Sequence, residues 1–336
     1  MPLIFSPLIL FISLLVAFLY RPIVSENVFV TGRNGDRILL LTAHPDDECM
    51  FFAPTLQALV KAPVEQPMEE HTFHRQKIFS SATYKSPTTQ VYSLCLSTGD
   101  ADGLGETRRL ELARSLDILG VESSNRWLVD HPFVFYSKIL ERTNSISSKL
   151  QDNITSQWDP TIIAEVLRPY LLQHKFTIVC HAFNISFLFS PLSQILTFDF
   201  EGISSHPNHQ SLPIGAAHLV KSLSQVNADP APRLFTLVTV PLVSKYTGSL
   251  APTLVKLDLL LPHQLKWLLI PFLRAFDATA GTPRIGALPV FVSGIPEFTT
   301  ALRAMYAHQS QLVWFRWLYV LFSRYMWINE WVELKA

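Results

Sequence analysis

The chain has 336 residues, which is enough for one large domain or two smaller ones with a sizeable hydrophobic core. Its 27 basic and 27 acidic residues give a formal net charge of zero, so it lacks the excess positive charge on which most nucleic-acid binding rests, and we expect no nucleic-acid partner. Charged residues make up only 16% of the chain, whereas a soluble domain carries about 25%. The composition therefore excludes a disordered chain and leans towards a membrane. Three scattered cysteines without a CxxC pair exclude a disulfide scaffold and a cysteine-ligated zinc site.

The first twenty residues contain no charged side chain and form an apolar run that is just long enough to span a bilayer. No basic residue precedes this run and no small-residue cleavage motif follows it, which favours an uncleaved anchor over a cleavable signal peptide. The first basic residues, Arg21, Arg33 and Arg37, come after the run, so the positive-inside rule places the rest of the chain in the cytosol. We therefore predict a single transmembrane anchor over residues 1–22.

Beyond the anchor, strand patterns alternate with helical patterns. The predicted strands cover residues 37–42, 91–96, 126–129, 176–179 and 234–240. The predicted helices cover residues 48–60, 107–119, 161–173 and 212–219. Gly120 is the expected C-cap of the second of these helices. The alternation predicts βαβ units and an α/β fold with a parallel sheet, in which ligands bind at the carboxyl ends of the strands.

Three irregular stretches interrupt the alternation, near residues 61–90, 133–149 and 180–194. We expect a main domain over residues 37–250, followed by a hydrophobic and aromatic-rich region over residues 251–336. The end of that region, residues 312–331, mixes tryptophan and tyrosine with Arg316 and Arg324. Such a mixture is typical of a helix that lies in the headgroup layer of a membrane, and an aromatic-rich core helix is the alternative.

The sharpest chemical signal directly follows the first strand, in the segment AHPDDE at residues 43–48. His44 and Asp47 are three residues apart across a tight turn, so their side chains can converge on one point. Imidazole and carboxylate groups are both common zinc ligands. Asp46 lies between them, in a position to face an open coordination site. The alternative is an N-cap cluster, in which Asp46 or Asp47 caps the following helix.

A second signal is the segment HPNH, which places His206 and His209 three residues apart before another helical pattern. One of the two histidines is a candidate third metal ligand, and the other stays free. A catalytic zinc site has this composition, because it keeps three protein ligands and one open position. The alternative is a pair of surface histidines at the start of a helix.

A third segment, residues 97–109, follows the second strand and contains several glycines before a helix. Glycines at the N-terminus of a helix suit an anion such as a phosphodiester, and Arg108 or Arg109 would add a charge-assisted contact. We predict Asp102, Arg108 and Arg109 as substrate-binding residues. The alternative is a turn followed by surface arginines. The chain contains no Gly-x-Ser-x-Gly segment, which argues against a serine hydrolase.

Taken together, these segments resemble the PIG-L family of de-N-acetylases, and its eukaryotic branch in particular. The resemblance rests on AHPDDE, on STGDADGLGETRR at residues 97–109, on LQDNITSQWDP at residues 150–160, on TFDFEGISSHPNH at residues 197–209, and on the tail QSQLVWFRWLYVLFSRYM at residues 309–326. It implies a Rossmann-like α/β fold and hydrolysis of a linear amide, with zinc or another divalent metal as the cofactor. The residues that it implies are the metal ligands His44, Asp47 and His209, the general base Asp46, and His206 as the group that stabilises the oxyanion or donates a proton.

For the eukaryotic branch, the resemblance implies a lipid substrate, N-acetylglucosaminylphosphatidylinositol. Its deacetylation is the second step of GPI-anchor synthesis, on the cytosolic face of the endoplasmic reticulum. Two alternatives stay open: a deacetylase of another GlcNAc conjugate, and an inactive scaffold that keeps the geometry of the site. The three irregular stretches depart from the family pattern, and one hypothesis is that some of them are translated intron sequence.

Overall fold

The computed structural model describes residues 5–25, 28–29, 36–61, 89–129, 150–173, 194–225, 231–262 and 287–335. The described helices are α1 Phe5–Tyr20, α2 Asp47–Met50, α3 Ala53–Lys61, α4 Gly105–Leu119, α5 Pro160–Gln173, α6 Gly202–Ser205, α7 Pro207–Gln225, α8 Leu242–Lys245, α9 Leu250–Leu260, α10 Ile295–Ala307 and α11 Trp314–Phe322. The described strands are β1 Ile23–Ser25, β2 Arg37–Thr42, β3 Gln90–Cys95, β4 Arg126–Leu128, β5 Gln194–Phe198, β6 Arg233–Leu237, β7 Ala287–Val292 and β8 Ile328–Leu334.

These strands form one sheet in the order β1-β7-β8-β6-β5-β2-β3-β4. From β6 to β4 the strands run parallel, as predicted. The expectation of a wholly parallel sheet is wrong for the other half, because β8 pairs antiparallel with β6, β7 with β8, and β1 with β7. An open β6 edge would leave backbone N–H and C=O groups unpaired, and β8 covers that edge. The fold is therefore mixed α/β, with a central sheet and flanking helices.

The parallel half of the sheet contains the core of the molecule. All six residues of β2 are buried, since a central parallel strand is covered by helices on both faces and reads as a nearly continuous apolar run. On one side, α5 and α7 approach each other closely at Gly215. A Cβ atom at this position would lie 2.4 Å from the Cβ atom of Ile163, so the contact requires the missing side chain of glycine.

Most of the predicted elements before residue 251 agree with the structure where it describes them. The predicted strands at 37–42, 91–96, 126–129 and 234–240 are confirmed as β2, β3, β4 and β6, and the helices at 107–119, 161–173 and 212–219 as α4, α5 and part of α7. The predicted helix at 48–60 is two helices, α2 and α3. Gly120 ends α4 in the left-handed conformation, with φ of 84°. The strand predicted at 176–179 and nearly all of the three irregular stretches lie outside the described residues.

The aromatic segment 312–331 is not one helix on a membrane, so that prediction is wrong for its second half. Only Trp314–Phe322 is an α-helix, and after a short turn the chain enters β8. Trp331 is fully buried in β8, where its ring stacks on that of Phe52. Tyr325 and Trp327 are buried as well. The large apolar area of these rings is used inside the protein, which is why this part of the segment belongs to the core.

The C-terminal end of α1 is attached to the rest of the protein through α9. The buried Lys256 donates hydrogen bonds from Nζ to the backbone carbonyls of Leu19 and Arg21, at 3.1 and 2.6 Å. These are carbonyl groups that the end of a helix leaves without a partner. Within the described ranges, no helix combines the length and the apolar character needed to cross a membrane.

Candidate active site

The turn that follows β2 is held by the side chain of Asp47. Its Oδ2 accepts hydrogen bonds from the backbone N–H groups of Ala43 and His44, at 3.0 and 2.9 Å. Asp46, just before α2, has a left-handed backbone with φ of 105° and makes no capping hydrogen bond with its side chain. The N-cap alternative therefore does not account for the two acids, because Asp47 folds the preceding turn and Asp46 does not cap the helix.

The second motif lies on the loop and helix that follow β5. Asp199 holds the start of this loop, since its Oδ1 accepts a hydrogen bond from the backbone N–H of Gly202 at 3.0 Å. Ile203 and Ser205 then adopt positive φ values of 58° and 60°, which residues with a side chain rarely do. The chain next enters α7, whose first turn carries His209.

The two loops meet because β2 and β5 are neighbouring parallel strands, so their carboxyl ends lie at the same edge of the sheet. Ring nitrogens of His44, His206 and His209 all lie within 4.8 Å of one another. Nε2 of His209 lies 3.2 Å from Oδ1 of Asp47. The structure thus brings the predicted histidines together with Asp47, and it places Asp46 in the same buried turn.

The chemistry of this donor set suits a divalent metal. Nδ1 of His209 lies 3.1 Å from the carbonyl oxygen of Gly202, which accepts its N–H. In the neutral ring, Nε2 then presents a lone pair to the carboxylate of Asp47. Two electron-rich atoms this close in a buried setting repel each other unless a proton on Nε2 or a metal ion lies between them. Burial alone would lower the pKa of His209, but the carboxylate of Asp47 outweighs it and raises this pKa, so the same pair attracts a cation of either kind. A backbone carbonyl that orients the ring is the usual support for a metal-binding histidine.

Comparison with known proteins reveals the relatives of the chain, although no protein-family model matches it. The N-acetylglucosaminyl-phosphatidylinositol de-N-acetylase of Bos taurus is 33% identical over 297 residues, which cover 88% of this chain and 83% of that protein. The protein of the same name from Arthroderma benhamiae is 30% identical over 319 residues, which cover 88% of this chain and 86% of that one. The chain belongs to the N-acetylglucosaminyl-phosphatidylinositol de-N-acetylase family.

Two further proteins are also similar to this chain. The relative from Saccharomyces cerevisiae with the same name is 27% identical over 319 residues, covering 91% of this chain and 84% of that protein. Among solved structures, N,N'-diacetylchitobiose deacetylase from Pyrococcus horikoshii aligns with a TM-score of 0.36 at 13% identity, over 76% of this chain and 84% of that chain.

In this member of the de-N-acetylase family, burial and neighbouring charges set the protonation of the site. Burial lowers the pKa of His44 to about 4, so its imidazole is neutral at physiological pH. Burial alone would raise the pKa of Asp47, but a protonated His209 beside it and the hydrogen bond from the backbone N–H of His44 outweigh burial and hold the pKa below its ordinary value. A neutral imidazole and a carboxylate are the forms that bind a metal.

Asp46 differs from Asp47 in its surroundings. Burial raises the pKa of Asp46, and the positive charge of Arg316 opposes this effect. Nη1 of Arg316, on α11, lies 3.0 Å from Oδ2 of Asp46. A carboxylate whose basicity is raised by burial is suited to take a proton near neutral pH.

Three residues at the site were missed by the sequence reasoning: Asp152, Asn208 and Arg316. Oδ1 of Asp152 lies 3.2 Å from Nε2 of His44 and 3.7 Å from Nε2 of His206. The side-chain nitrogen of Asn208 lies 3.0 Å from Nε2 of His44. Each of the three lies inside a segment on which the family resemblance rests. Their position in these segments was the one sequence signal that could have indicated a role at the site, because no ligand spacing singles them out.

The three predicted substrate-binding residues occupy different surroundings. Arg108 is buried and bridges loops, donating to the carbonyl oxygens of Gly99 at 2.7 Å and Pro45 at 3.2 Å. Arg109 pairs with Glu106 on the surface of α4. Asp102 is exposed on the turn before α4. Arg108 lies next to the site through Asp152, whose Oδ2 is 3.5 Å from its Nη1, whereas the contacts of Arg109 are on its own helix.

Proposed function

We propose that this chain is a metal-dependent amide hydrolase that removes the N-acetyl group of N-acetylglucosaminylphosphatidylinositol, giving glucosaminylphosphatidylinositol and acetate. The observation that carries the proposal is the buried meeting of His209 with Asp47, beside His44, in a chain of the de-N-acetylase family. This reaction is the second step of GPI-anchor synthesis. The names of the relatives support the substrate, and the donor set supports the chemistry.

The proposed ligands of the metal are His44, Asp47 and His209. Zinc is the metal that such a set of two imidazoles and one carboxylate suits in hydrolytic sites, and iron or cobalt also fits these donors. When bound, the metal polarises an amide carbonyl and lowers the pKa of a water molecule towards about 7.

The remaining roles belong to Asp46 and His206. The carboxylate of Asp46 takes a proton from the water that attacks the acetamide carbon. His206, half-buried beside His209, donates a hydrogen bond to the oxyanion that develops, or gives a proton to the leaving amine. Cleavage of the carbon–nitrogen bond then releases acetate and the amine of glucosamine.

Binding of the sugar phosphate is assigned to the segment that follows β3. Asp102, Arg108 and Arg109 remain the proposed substrate-binding residues. Arg108 has the strongest support of the three, because it is buried and reaches both Pro45, next to His44, and Asp152. A cation at this place would face a substrate held against the two motif loops.

The proposed setting is the membrane of the endoplasmic reticulum, with residues 1–22 as a single anchor and the body of the protein in the cytosol. α11 supports the membrane contact. Arg316 and Tyr319 turn towards Asp46 and Met50, while the opposite face of α11 is exposed and carries no charge. That face consists of Trp314, Phe315, Trp317, Leu318, Leu321 and Phe322. An aromatic face of this kind suits the headgroup layer, and it would keep the site close to a lipid substrate.

The test is release of acetate from N-acetylglucosaminylphosphatidylinositol by membranes that contain the chain. We expect turnover by the parent protein and a loss of at least about a hundredfold in Asp46→Asn and in His209→Ala. Asp117→Asn, which changes an aspartate on the surface of α4, is the matched control and should keep full activity. Metal content should fall in His209→Ala and be retained in Asp46→Asn.

Two results would contradict the proposal. One is a parent protein that is present in the membrane, binds metal and releases no acetate, which would favour the inactive scaffold. The other is full activity in Asp46→Asn. Turnover of a soluble GlcNAc conjugate in place of the lipid would keep the reaction and change the substrate.

A further inference from the structure

The turn that follows β2, residues 43–47, carries the proposed base Asp46 and is called the catalytic turn below. A buried polar cluster lies directly behind it and takes no part in the proposed chemistry. It consists of Glu48 on α2, Ser115 on α4 and His308 just after α10, and all three are fully buried. Nε2 of His308 lies 2.7 Å from Oε1 of Glu48, and the hydroxyl of Ser115 donates to the same oxygen. Side chains from α4 and from the residue just after α10 therefore hold one carboxylate oxygen.

The other oxygen of this carboxylate leads to the site. Oε2 of Glu48 accepts a hydrogen bond from the backbone N–H of Asp46 at 3.0 Å. Asp46 is the residue whose φ is 105°, a conformation that a residue with a side chain keeps only when its surroundings enforce it. The thiol of Cys49 lies 3.2 Å from the carbonyl oxygen of Asp46, so both polar groups of this residue's backbone are tied to neighbouring side chains.

Glu48, Cys49 and His308 are close enough together to be considered as a metal site. The hydrogen bonds favour a different reading. Glu48 already accepts three hydrogen bonds, from Asp46, Ser115 and His308, which is the compensation that a fully buried carboxylate requires. Burial raises the pKa of Cys49 well above its ordinary value, so this side chain is a neutral thiol rather than a thiolate ligand.

We infer that Glu48 and His308 are positioning residues, which hold the backbone of Asp46 in its left-handed conformation and so aim its carboxylate at the reacting water. The inference rests on the proposed function, in which Asp46 is the base. Without the hydrogen bond from His308, the carboxylate of Glu48 can turn, and the turn at Asp46 can relax to a conformation with negative φ. Displacement of a catalytic group by about 1 Å costs on the order of a hundredfold in rate.

The first test compares variants of His308 in the full-length protein. His308→Leu removes the N–H donor at similar volume, and we expect kcat to fall by at least about tenfold, with KM and bound metal unchanged. His308→Gln places an amide N–H near the position of Nε2 and should recover most of the lost kcat. Rescue by a donor is a result that a merely space-filling role of His308 would not give.

A second contact between α4 and the segment after α10 provides a matched control for the loss of the hydrogen bond from His308 to Glu48. Glu111, also on α4, accepts hydrogen bonds from the backbone N–H and the hydroxyl of Ser310, at 2.8 and 2.6 Å. This contact joins the same helix to the same C-terminal segment, but it does not reach Asp46. Glu111→Gln keeps one acceptor oxygen and loses the other, so it should weaken this contact, lower the Tm and leave kcat within about twofold.

A second test does not depend on turnover. Hydrogen–deuterium exchange in residues 43–50 should become faster in His308→Leu and in Glu48→Gln, and should stay at the parent rate in Glu111→Gln. Unchanged exchange in all variants would overturn the inference, and so would equal losses of kcat in His308→Leu and Glu111→Gln. If the parent protein shows no turnover, the proposed function fails while the exchange experiment still decides the role of Glu48 and His308.

Discussion

Backbone strain in the described residues is concentrated at the site. Asp46, Ile203 and Ser205 are the residues other than glycine that have positive φ in the described ranges, and all three lie in the two loops that present the candidate ligands. Each such conformation costs about 1–3 kcal/mol and persists only when the surrounding contacts enforce it. The hydroxyl oxygen of Thr239 accepts the N–H of Ile203 at 3.0 Å, and Glu48 accepts that of Asp46. Hydrogen bonds from the surrounding structure thus hold the two loops in conformations that the residues themselves disfavour.

Removal of the metal should destabilise the folded protein. Because a ligand that binds only the folded state stabilises it, by about 4 kcal/mol at a concentration of 1,000 times its Kd, a chelator should lower the Tm of the parent protein by several degrees. The same chelator should have little effect on the Tm of His209→Ala, which lacks one proposed ligand. Thermal unfolding of both proteins, with Asp117→Asn as the control, measures this. An unchanged Tm of the parent protein would argue against a bound metal.

Two helices show how single elements are adapted to their neighbours. α7 carries Gly215 where it packs against Ile163 on α5, so the helices come closer than any side chain would allow. α11 has two different faces. On one face, Arg316 and Tyr319 contact Asp46 and Met50. On the other face, Trp314 and Leu318 are exposed. The first adaptation serves packing inside the molecule, and the second presents an apolar face to the outside.

A substitution at the helix contact should destabilise the fold. Gly215→Ala places a methyl group within 2.4 Å of the side chain of Ile163, so the helices must separate. We expect a loss of about 1–3 kcal/mol in the free energy of unfolding, as for other overpacked cores. Denaturant unfolding measures it, with Lys221→Ala on the exposed side of α7 as the control. Equal stability of Gly215→Ala and the parent protein would show that the two helices adjust freely.

The exposed face of α11 should enter the lipid headgroup layer. A solvatochromic dye on Leu318→Cys in proteoliposomes should shift its emission to the blue relative to the same dye on Tyr306→Cys, because Tyr306 is exposed on a different helix, α10, and lies outside the apolar face of α11. The parent protein, treated with the same dye, gives the background from its own cysteines. Emission typical of water at both positions would remove α11 from the membrane contact.

At the scale of the whole molecule, the C-terminal region completes the fold that the preceding residues begin. Trp331 on β8 is fully buried, stacks on Phe52 and donates from its indole N–H to the hydroxyl of Thr55 at 2.9 Å. Asn329, also on β8, donates to the carbonyl oxygen of Phe51 at 2.6 Å. These contacts connect β8 to the segment that follows the catalytic turn. The described residues 328–334 are thus part of the same core as the segment that follows α2.

Loss of the buried ring of Trp331 should therefore destabilise the protein strongly. We expect Trp331→Ala to lower the free energy of unfolding by about 3–5 kcal/mol, the range for deletion of a large buried ring. Glu333→Ala, on the same strand, removes a solvent-exposed pair with Arg233 and should cost at most about 1 kcal/mol. Denaturant unfolding of both variants compares the two values. Similar small losses would mean that β8 is peripheral to the core.

How much of this could be predicted depends on the distance in sequence between the groups that interact. The proximity of His44 and Asp47 was predictable, because both residues follow the end of one strand and are only three positions apart. The pairing of Glu48 with His308 spans 260 residues, and no local pattern indicates it. β8 was missed for the same reason: its aromatic residues read equally well as a helix, and only the partners β6 and β7 decide its conformation.

The position of β8 has a consequence for how the protein is made. It follows every other described strand along the chain, yet it lies between β6 and β7 in the sheet. During translation, the edge of β6 therefore stays unpaired until residues 328–334 have left the ribosome, and an unpaired edge of this kind is a template for association with other chains. A premature stop codon just before residue 328 would not yield a slightly shorter enzyme. It would release a chain whose sheet has an unpaired β6 edge, and we expect cellular quality control to degrade that chain before it can act as an enzyme.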